Sequence, residues 1–418
     1  MSSVAPPLHT TASEVAPPVA FGPARAVLLR AIDDSIAPGG VVAVRVHGKL
    51  VWLEAFGLAA VEPEARPMHV TTIFDLASLT KPLATATAIL FLMQQGIFAL
   101  DDPVGRYLPA FSTSAQTGLT VRRLLSHSSG MPGWRPTYAW ARTRPQVLEF
   151  LASLPPAYPA GTRVEYSCLG YILLGLLAEA CSGLRLNELL SRSLFGPLRL
   201  ESMGYRQQFP SEQYASTERG NGHERSLLER AGVRFDGWRS SFYPGQPNDG
   251  NAHYALEGVS GNAGLFGSAA DVSAIGQLWL DGGAYAGERV LSPSIVALAT
   301  SDQTPGLNAP KGLGWFLNSR SAPLAEELMP ARSNSAYLPT ESFTAPWQPR
   351  SCGELLSDRA FGHIGFTGTS LWVDPTRSLV VALLTNRIHP RVGDGTALAS
   401  FRARFHNALA ATVSVNNP

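Results

Sequence analysis

Apolar positions along this chain switch between a helical period and a strand period, and the switches mark out its elements. Gly22 to Ile36 carries helical spacing, and Gly40 to Val46 and Leu50 to Leu58 are β-rich runs divided by His47-Gly48-Lys49. Together they predict a helix and then a hairpin. From Ser78 the pattern becomes helical, predicting a helix over Ser78 to Leu100 and shorter ones over Val121 to Ser126, Pro145 to Ser153, Leu169 to Cys181 and Leu186 to Ser193. No convincing strand pattern interrupts them. Residues 204 to 264 are dense in Gly, Pro, Asn and aromatics, including Trp238, Tyr243 and Tyr254. A loop of that length in a compact protein is usually functional or disordered, and it reads here as a wall of a site. Helical spacing returns over Ala270 to Leu280. Strand-like runs follow at Gly312 to Leu317, Ser370 to Val373 and Leu379 to Thr385, and a closing helix at Ala397 to Ala410.

The order hairpin, helices, strands, helix predicts an α/β (α+β) fold, with a mostly antiparallel sheet completed by both ends of the chain. The expected division is residues 22–84 plus 285–415 as the sheet domain and 85–284 as an inserted, mostly helical domain, with 320–357 an irregular insertion. Residues 1–21, rich in Pro, Ser, Thr and Ala, read as a flexible leader. They lack the basic start and apolar core of a signal peptide, so cytoplasmic residence is the default expectation, and a periplasmic or secreted one holds if the chain is trimmed. The most apolar run, Pro82 to Met93, is too short to span a bilayer.

The 418 residues are 45% hydrophobic and carry a formal charge of +1 with no basic block, which points away from nucleic acid and anionic membranes as partners. A small neutral molecule fits better; oligomeric state is not encoded in any pattern. Cys168, Cys181 and Cys352 are odd in number and widely spaced, which argues for buried thiols and against a disulfide framework or zinc site.

Chemistry enters at Ser78-Leu79-Thr80-Lys81. On a helix the i, i+3 spacing puts Ser78 and Lys81 on one face, where a neutral or hydrogen-bonded lysine can take the hydroxyl proton. A helix N-terminus also favours developing negative charge. Tyr166, in the turn before the apolar helix from Leu169, is a candidate second base, because an adjacent ammonium lowers a phenol's pKa. The competing reading is a tyrosine packed at a helix start. His363 lies in Phe361-Gly362-His363-Ile364-Gly365-Phe366, just before a strand. Gly365 would let a substrate backbone come close, and an N–H there with that of Ser78 makes a two-donor oxyanion hole. The alternative is a glycine-rich turn with an incidental histidine.

Ser78-x-x-Lys81, Tyr166-x-Cys168 and His363-x-Gly365, in that order, resemble the serine β-lactamase and penicillin-binding-protein superfamily. The similarity is strongest to the branch of class C β-lactamases, family VIII esterases and D-alanyl-D-alanine carboxypeptidase-like proteins. Leu124-Leu125-Ser126-His127-Ser128-Ser129-Gly130 and Gly258-Val259-Ser260-Gly261-Asn262-Ala263-Gly264 look like that branch too. The resemblance covers roughly Gly22 to Ala410. It implies a β-lactamase/transpeptidase-like fold with the site between sheet and helical domain, and no cofactor. It further implies that Ser78 is acylated, that Lys81 and Tyr166 share its proton, and that the N–H groups of Ser78 and Phe366 hold the oxyanion.

Two positions depart from the pattern. His363 stands where β-lactamases carry a lysine that binds the substrate carboxylate, which weakens that contact near neutral pH. Cys168 stands where an asparagine amide is usual, and a thiol is a poor donor and acceptor. Asn262 occupies a position where some relatives have histidine; it lines the substrate site or caps the helix near Asp271. His127 is expected to tighten a turn, and Asp249 to line the cleft or start a turn. The resulting expectation is a serine hydrolase of small or medium acyl esters. A β-lactamase or D-alanyl-D-alanine carboxypeptidase is the alternative, and a non-catalytic binding protein on the same fold the second.

Overall fold

The computed structural model describes residues 11–112, 118–206, 208–318, 351–393 and 395–415. In chain order the strands are β1 (Thr11–Val15), β2 (Gly39–Val46), β3 (Lys49–Ala60), β4 (Arg66–Pro67), β5 (Phe74–Asp75), β6 (Gly204–Tyr205) and β7 (Leu265–Gly267). They continue with β8 (Ala284–Tyr285), β9 (Glu288–Arg289), β10 (Phe316–Leu317), β11 (Phe361–Ile364), β12 (Ser370–Asp374) and β13 (Leu379–Thr385). The helices are α1 (Gly22–Asp33), α2 (Thr87–Gln94), α3 (Val121–Leu125), α4 (Arg144–Ser153) and α5 (Cys168–Ser182). After these come α6 (Leu186–Leu190), α7 (Gly222–Arg230), α8 (Ala269–Leu280), α9 (Pro293–Ala299) and α10 (Gly395–Ala410).

The main sheet runs β1-β3-β2-β13-β12-β11-β10, antiparallel throughout, with β4 paired to β3. Both chain ends therefore build it. The β2–β3 turn is tight because His47 and Gly48 both take positive φ (50° and 77°), the geometry that matches strand twist. Along β2 and β13 every residue up to Val44 and Thr385 is buried, and the side chains alternate between two cores. Val41, Ala43, Val380, Ala382 and Leu384 pack with Val272, Ile275 and Trp279 of α8. Val42, Val44, Val381 and Leu383 pack with Val27 and Leu28 of α1 and Phe401 and Phe405 of α10. An antiparallel sheet covered on both faces reads as a continuous apolar run, which is what these strands display. Each fully buried Val or Leu contributes about 1.5–3 kcal/mol.

Several elements differ from the sequence reading. Thr11–Val15, placed in the leader, forms an edge strand in register with Leu53 to Phe56 of β3. The single helix expected from Ser78 to Leu100 is three pieces: a 3₁₀ turn Ala77–Leu79, a π-helical turn Lys81–Ala86 beginning at the Pro82 step, and α2, which stops at Gln94. Helix α7 lies inside the stretch read as loop. Its apolar stripe is only Leu227 and Leu228, and its start is fixed by the Glu218 carboxylate, which accepts from the His223 N–H at 2.8 Å. Short strands β6 and β7 join β5 in a second small sheet. Of the expected insertion 320–357, all but residues 351–357 lies outside the described residues. Cys181 is half-exposed, while Cys168 and Cys352 are buried; all three are free thiols. Among the described residues no single helix is long and apolar enough to cross a membrane.

Candidate active site

Ser78 is held by the turn that leaves β5. Asp75, completely buried, accepts from the N–H of Ala77 at 2.8 Å and of Asn248 at 2.7 Å. Burial still pushes its carboxyl up to about 6. Ala77 takes a left-handed φ of 46°, a strain of the kind proteins keep where a side chain must be aimed. The strain is tied down from β11–β12. Thr367 donates its hydroxyl to the Asp75 carbonyl (2.6 Å), and Thr369 donates to the Leu76 carbonyl (3.0 Å). Gly365 makes this approach feasible, since a Cβ there would lie 2.1 Å from Thr369 Oγ1 and 2.6 Å from the Leu76 carbonyl. The glycine expected to admit a substrate backbone instead admits the enzyme's own turn, bringing the Phe366 segment beside Ser78.

Lys81 is fully buried and its Nζ has three contacts: Ser78 Oγ at 3.0 Å, the Asn262 carbonyl at 2.9 Å and Cys168 Sγ at 3.5 Å. Burial lowers its pKa against the opposing pull of Cys168 and Asp249. A neutral amine has two N–H donors and one lone pair. The carbonyl and the sulfur take the donors, and the lone pair is left for the Ser78 hydroxyl. Cys168 opens α5, and burial raises its thiol pKa despite Lys81, so it rests as a neutral thiol.

Tyr166 is hydrogen-bonded to Ser78, and its ring centroid lies 4.9 Å from Lys81 Nζ. The cation was expected to lower the phenol. Burial dominates instead and holds the phenol well above its ordinary value, so Tyr166 rests protonated. His127 supports it from behind: a left-handed residue (φ 58°) whose ring lies 4.6 Å from that of Tyr166 and whose Nδ1 accepts from the Ser167 N–H at 3.0 Å.

His363 does not reach the cleft surface. It is 1% exposed, stacked on Phe316 at 4.2 Å and 6.0 Å from the Tyr166 ring, and burial with nearby Lys81 keeps it neutral. Its Nδ1 lies 2.8 Å from the Ile364 carbonyl and 2.9 Å from the Ile364 N–H, the tautomer deciding which bond it makes, and its Nε2 has no partner among the described residues. A neutral buried imidazole cannot supply the charge contact with a carboxylate that its position suggested. Asn262 is not a helix cap, since Ser268 caps α8. Its carbonyl binds Lys81, and its amide bridges Asp249 Oδ2 at 3.1 Å and Cys168.

The cleft in front of Ser78 has an empty volume of about 770 Å³. Ser78, Tyr166, Cys168, Trp134, Gly365 and Phe366 line one part of it; His223, Glu224, Asn248 and Asp249 line another. Among the described lining residues none is Lys or Arg. Glu224 and His223 were not legible in the sequence, because α7 shows too thin an apolar stripe to mark it as an element, and Asn248 lies in a loop without periodicity.

The chain matches a family model described as Beta-lactamase over residues 28–403. An N-acetylmuramyl-L-alanine amidase of Bacillus subtilis (strain 168) is 31% identical over 396 residues, covering 88% of this chain and 82% of that protein. A penicillin-binding protein homolog from Caulobacter crescentus superposes with a TM-score of 0.70 at 21% identity, over 97% of this chain and 100% of that one. A family VIII carboxylesterase does so with a TM-score of 0.67 at 18% identity, over 96% and 100%. At these identities the two structures share the fold.

Proposed function

We propose that this chain, which belongs to the Beta-lactamase family and has the β-lactamase/transpeptidase-like fold, hydrolyses small or medium acyl esters through an acyl-enzyme on Ser78. The family makes it a serine hydrolase; the ester preference is our reading. Neutral Lys81 takes the Ser78 proton as Oγ bonds to the acyl carbon, and the N–H groups of Ser78 and Phe366 receive the oxyanion. When the carbon–oxygen bond to the leaving group breaks, the Tyr166 phenol protonates the departing oxygen, and the Lys81 ammonium restores the phenol. Water then repeats the sequence in reverse roles, its proton passing to Lys81 and Ser78 leaving protonated.

The observation that carries the ester reading is the charge of the cleft. β-Lactams and D-alanyl-D-alanine ends present a carboxylate, and the described wall offers them no Lys or Arg, a neutral buried His363, and the carboxyl groups of Glu224 and Asp249. Burial pushes the Glu224 carboxyl up to about 8 and raises that of Asp249, so a carboxylate brought there would be desolvated beside carboxyl groups, with no cation among the described lining residues to pair it. The amidase relative favours a second reading, in which the same residues cleave an N-acetylmuramyl-L-alanine amide.

A panel of p-nitrophenyl esters of rising chain length, nitrocefin, a D-alanyl-D-alanine peptide and N-acetylmuramyl-L-alanine separates the readings. The expected result is the largest kcat/KM on a short or medium ester. A larger kcat/KM on nitrocefin or the D-alanyl peptide overturns it, and a larger one on the muramyl amide selects the second reading.

A further inference from the structure

The corner of the cleft formed by Glu224, Asn248 and Asp249 has no part in the acyl transfer just derived. It is a built feature. Asn248, Asp249 and Gly250 are consecutive, and the Gly250 N–H donates to Glu224 Oε1 at 2.8 Å, which pins α7 against that turn. Glu224 Oε2 accepts from the buried Tyr138 hydroxyl at 2.6 Å. Asn248 is held on three sides: its N–H donates to Asp75, its amide nitrogen donates to Glu218 at 3.0 Å, and its carbonyl accepts from Asn221 and Arg239. Its side-chain oxygen, in a residue 4% exposed that lines the cleft, has no partner among the described residues.

The corner therefore gathers two carboxyls whose donors are all neutral N–H or O–H groups around one amide oxygen that has none. Asp249 receives the Ala252 N–H and the Asn262 amide; both hydrogen-bond partners of Glu224 are neutral, and burial above all, with Asp249 and Glu218 as like-charged neighbours, pushes its carboxyl up to about 8. Leaving a buried acceptor unmatched is costly, so such a corner persists where a ligand completes it. A primary ammonium brings three donors and a positive charge on one small atom.

We propose that the substrate of Ser78 carries a protonated primary amine, received by Glu224, Asp249 and the side-chain oxygen of Asn248. This rests on the acyl-enzyme reading and adds the chemical class of the substrate to it. Amino-acyl esters and amides with a free amine belong to that class; their N-blocked counterparts do not.

The test pairs the methyl esters of D- and L-leucine with methyl 4-methylpentanoate, which has the same skeleton without the amine. At pH 7 the preferred leucine ester is expected to exceed the deamino ester at least tenfold in kcat/KM, and Glu224→Gln to shrink that ratio at least tenfold, whatever it does to absolute rates. Equal kcat/KM for the pair in the native protein, or an unchanged ratio in Glu224→Gln, overturns the proposal. Calorimetry on Ser78→Ala protein needs neither turnover nor a folded Glu224 variant. There D- or L-leucinamide should bind at least tenfold tighter than 4-methylpentanamide, and equal binding overturns the proposal. Failure of the acyl-enzyme reading shows separately, as p-nitrophenyl acetate turnover that survives Ser78→Ala.

Discussion

In the proposed reaction Lys81 activates Ser78, because it is the group beside the hydroxyl that burial shifts toward the neutral base. Its pKa is lowered from the usual 10.5, while that of Tyr166 is raised from the usual 10. The sign for the rate follows. Below the lowered Lys81 value the amine is protonated and cannot accept, so kcat/KM on a neutral ester should fall as pH drops through that value and rise to a plateau above it. No loss on the alkaline side is expected until above the ordinary phenol range, since Tyr166 keeps its proton. A pH profile with p-nitrophenyl acetate, corrected for spontaneous hydrolysis, checks both limbs. Lys81→Arg should lose more than 10²-fold at every pH, since a guanidinium stays charged and general base catalysis typically contributes about 10²–10⁴-fold. The i, i+3 relation of Ser78 and Lys81 was legible from the sequence alone. The protonation states were not, since they depend on burial by residues far away in the chain.

At the scale of elements, the site depends on β11 being pressed against the Ser78 turn. Gly365→Ala would put a methyl group 2.1 Å from Thr369 Oγ1 and force the Phe366 segment away. Loss of one oxyanion donor costs about 2.7–4 kcal/mol, so kcat should fall about 10²–10³-fold with the circular dichroism spectrum unchanged. The core answers differently. Leu383, fully buried between the sheet and α10, should cost about 2–5 kcal/mol as Leu383→Ala in urea unfolding, while the folded variant keeps its kcat. The sheet was readable because β2, β3, β12 and β13 are long apolar runs, and the hairpin because of its turn. Helix α7 was not, because hydrogen bonds from Glu218 and a packed Glu224 hold it more than an apolar face does. The break of the Ser78 helix into 3₁₀ and π turns was hidden for a related reason. Its apolar spacing is helical throughout, and the contacts that bend it come from Gly261 and Asn262, nearly two hundred residues on.

Across the whole molecule, residues from both ends and the middle of the chain meet at the proposed nucleophile: Ser78 and Lys81 after the first hairpin, Tyr166 and Cys168 at the start of α5, Asn262 before β7, and Gly365 after β11. A net charge of +1 gives no hint of the cleft, whose described lining holds the carboxyl groups of Glu224 and Asp249 and no Lys or Arg. Order and spacing of the motifs made the family readable, whereas the substrate wall lies in a segment without periodicity. The proposed reaction depends on Ser78 Oγ being the atom that is acylated. Intact-mass and peptide mass spectrometry after exposure to a fluorophosphonate measures that directly. One adduct on Ser78, absent from Ser78→Ala, is the predicted result; an adduct on Cys168 with Ser78 unmodified, or none on active protein, would contradict the account.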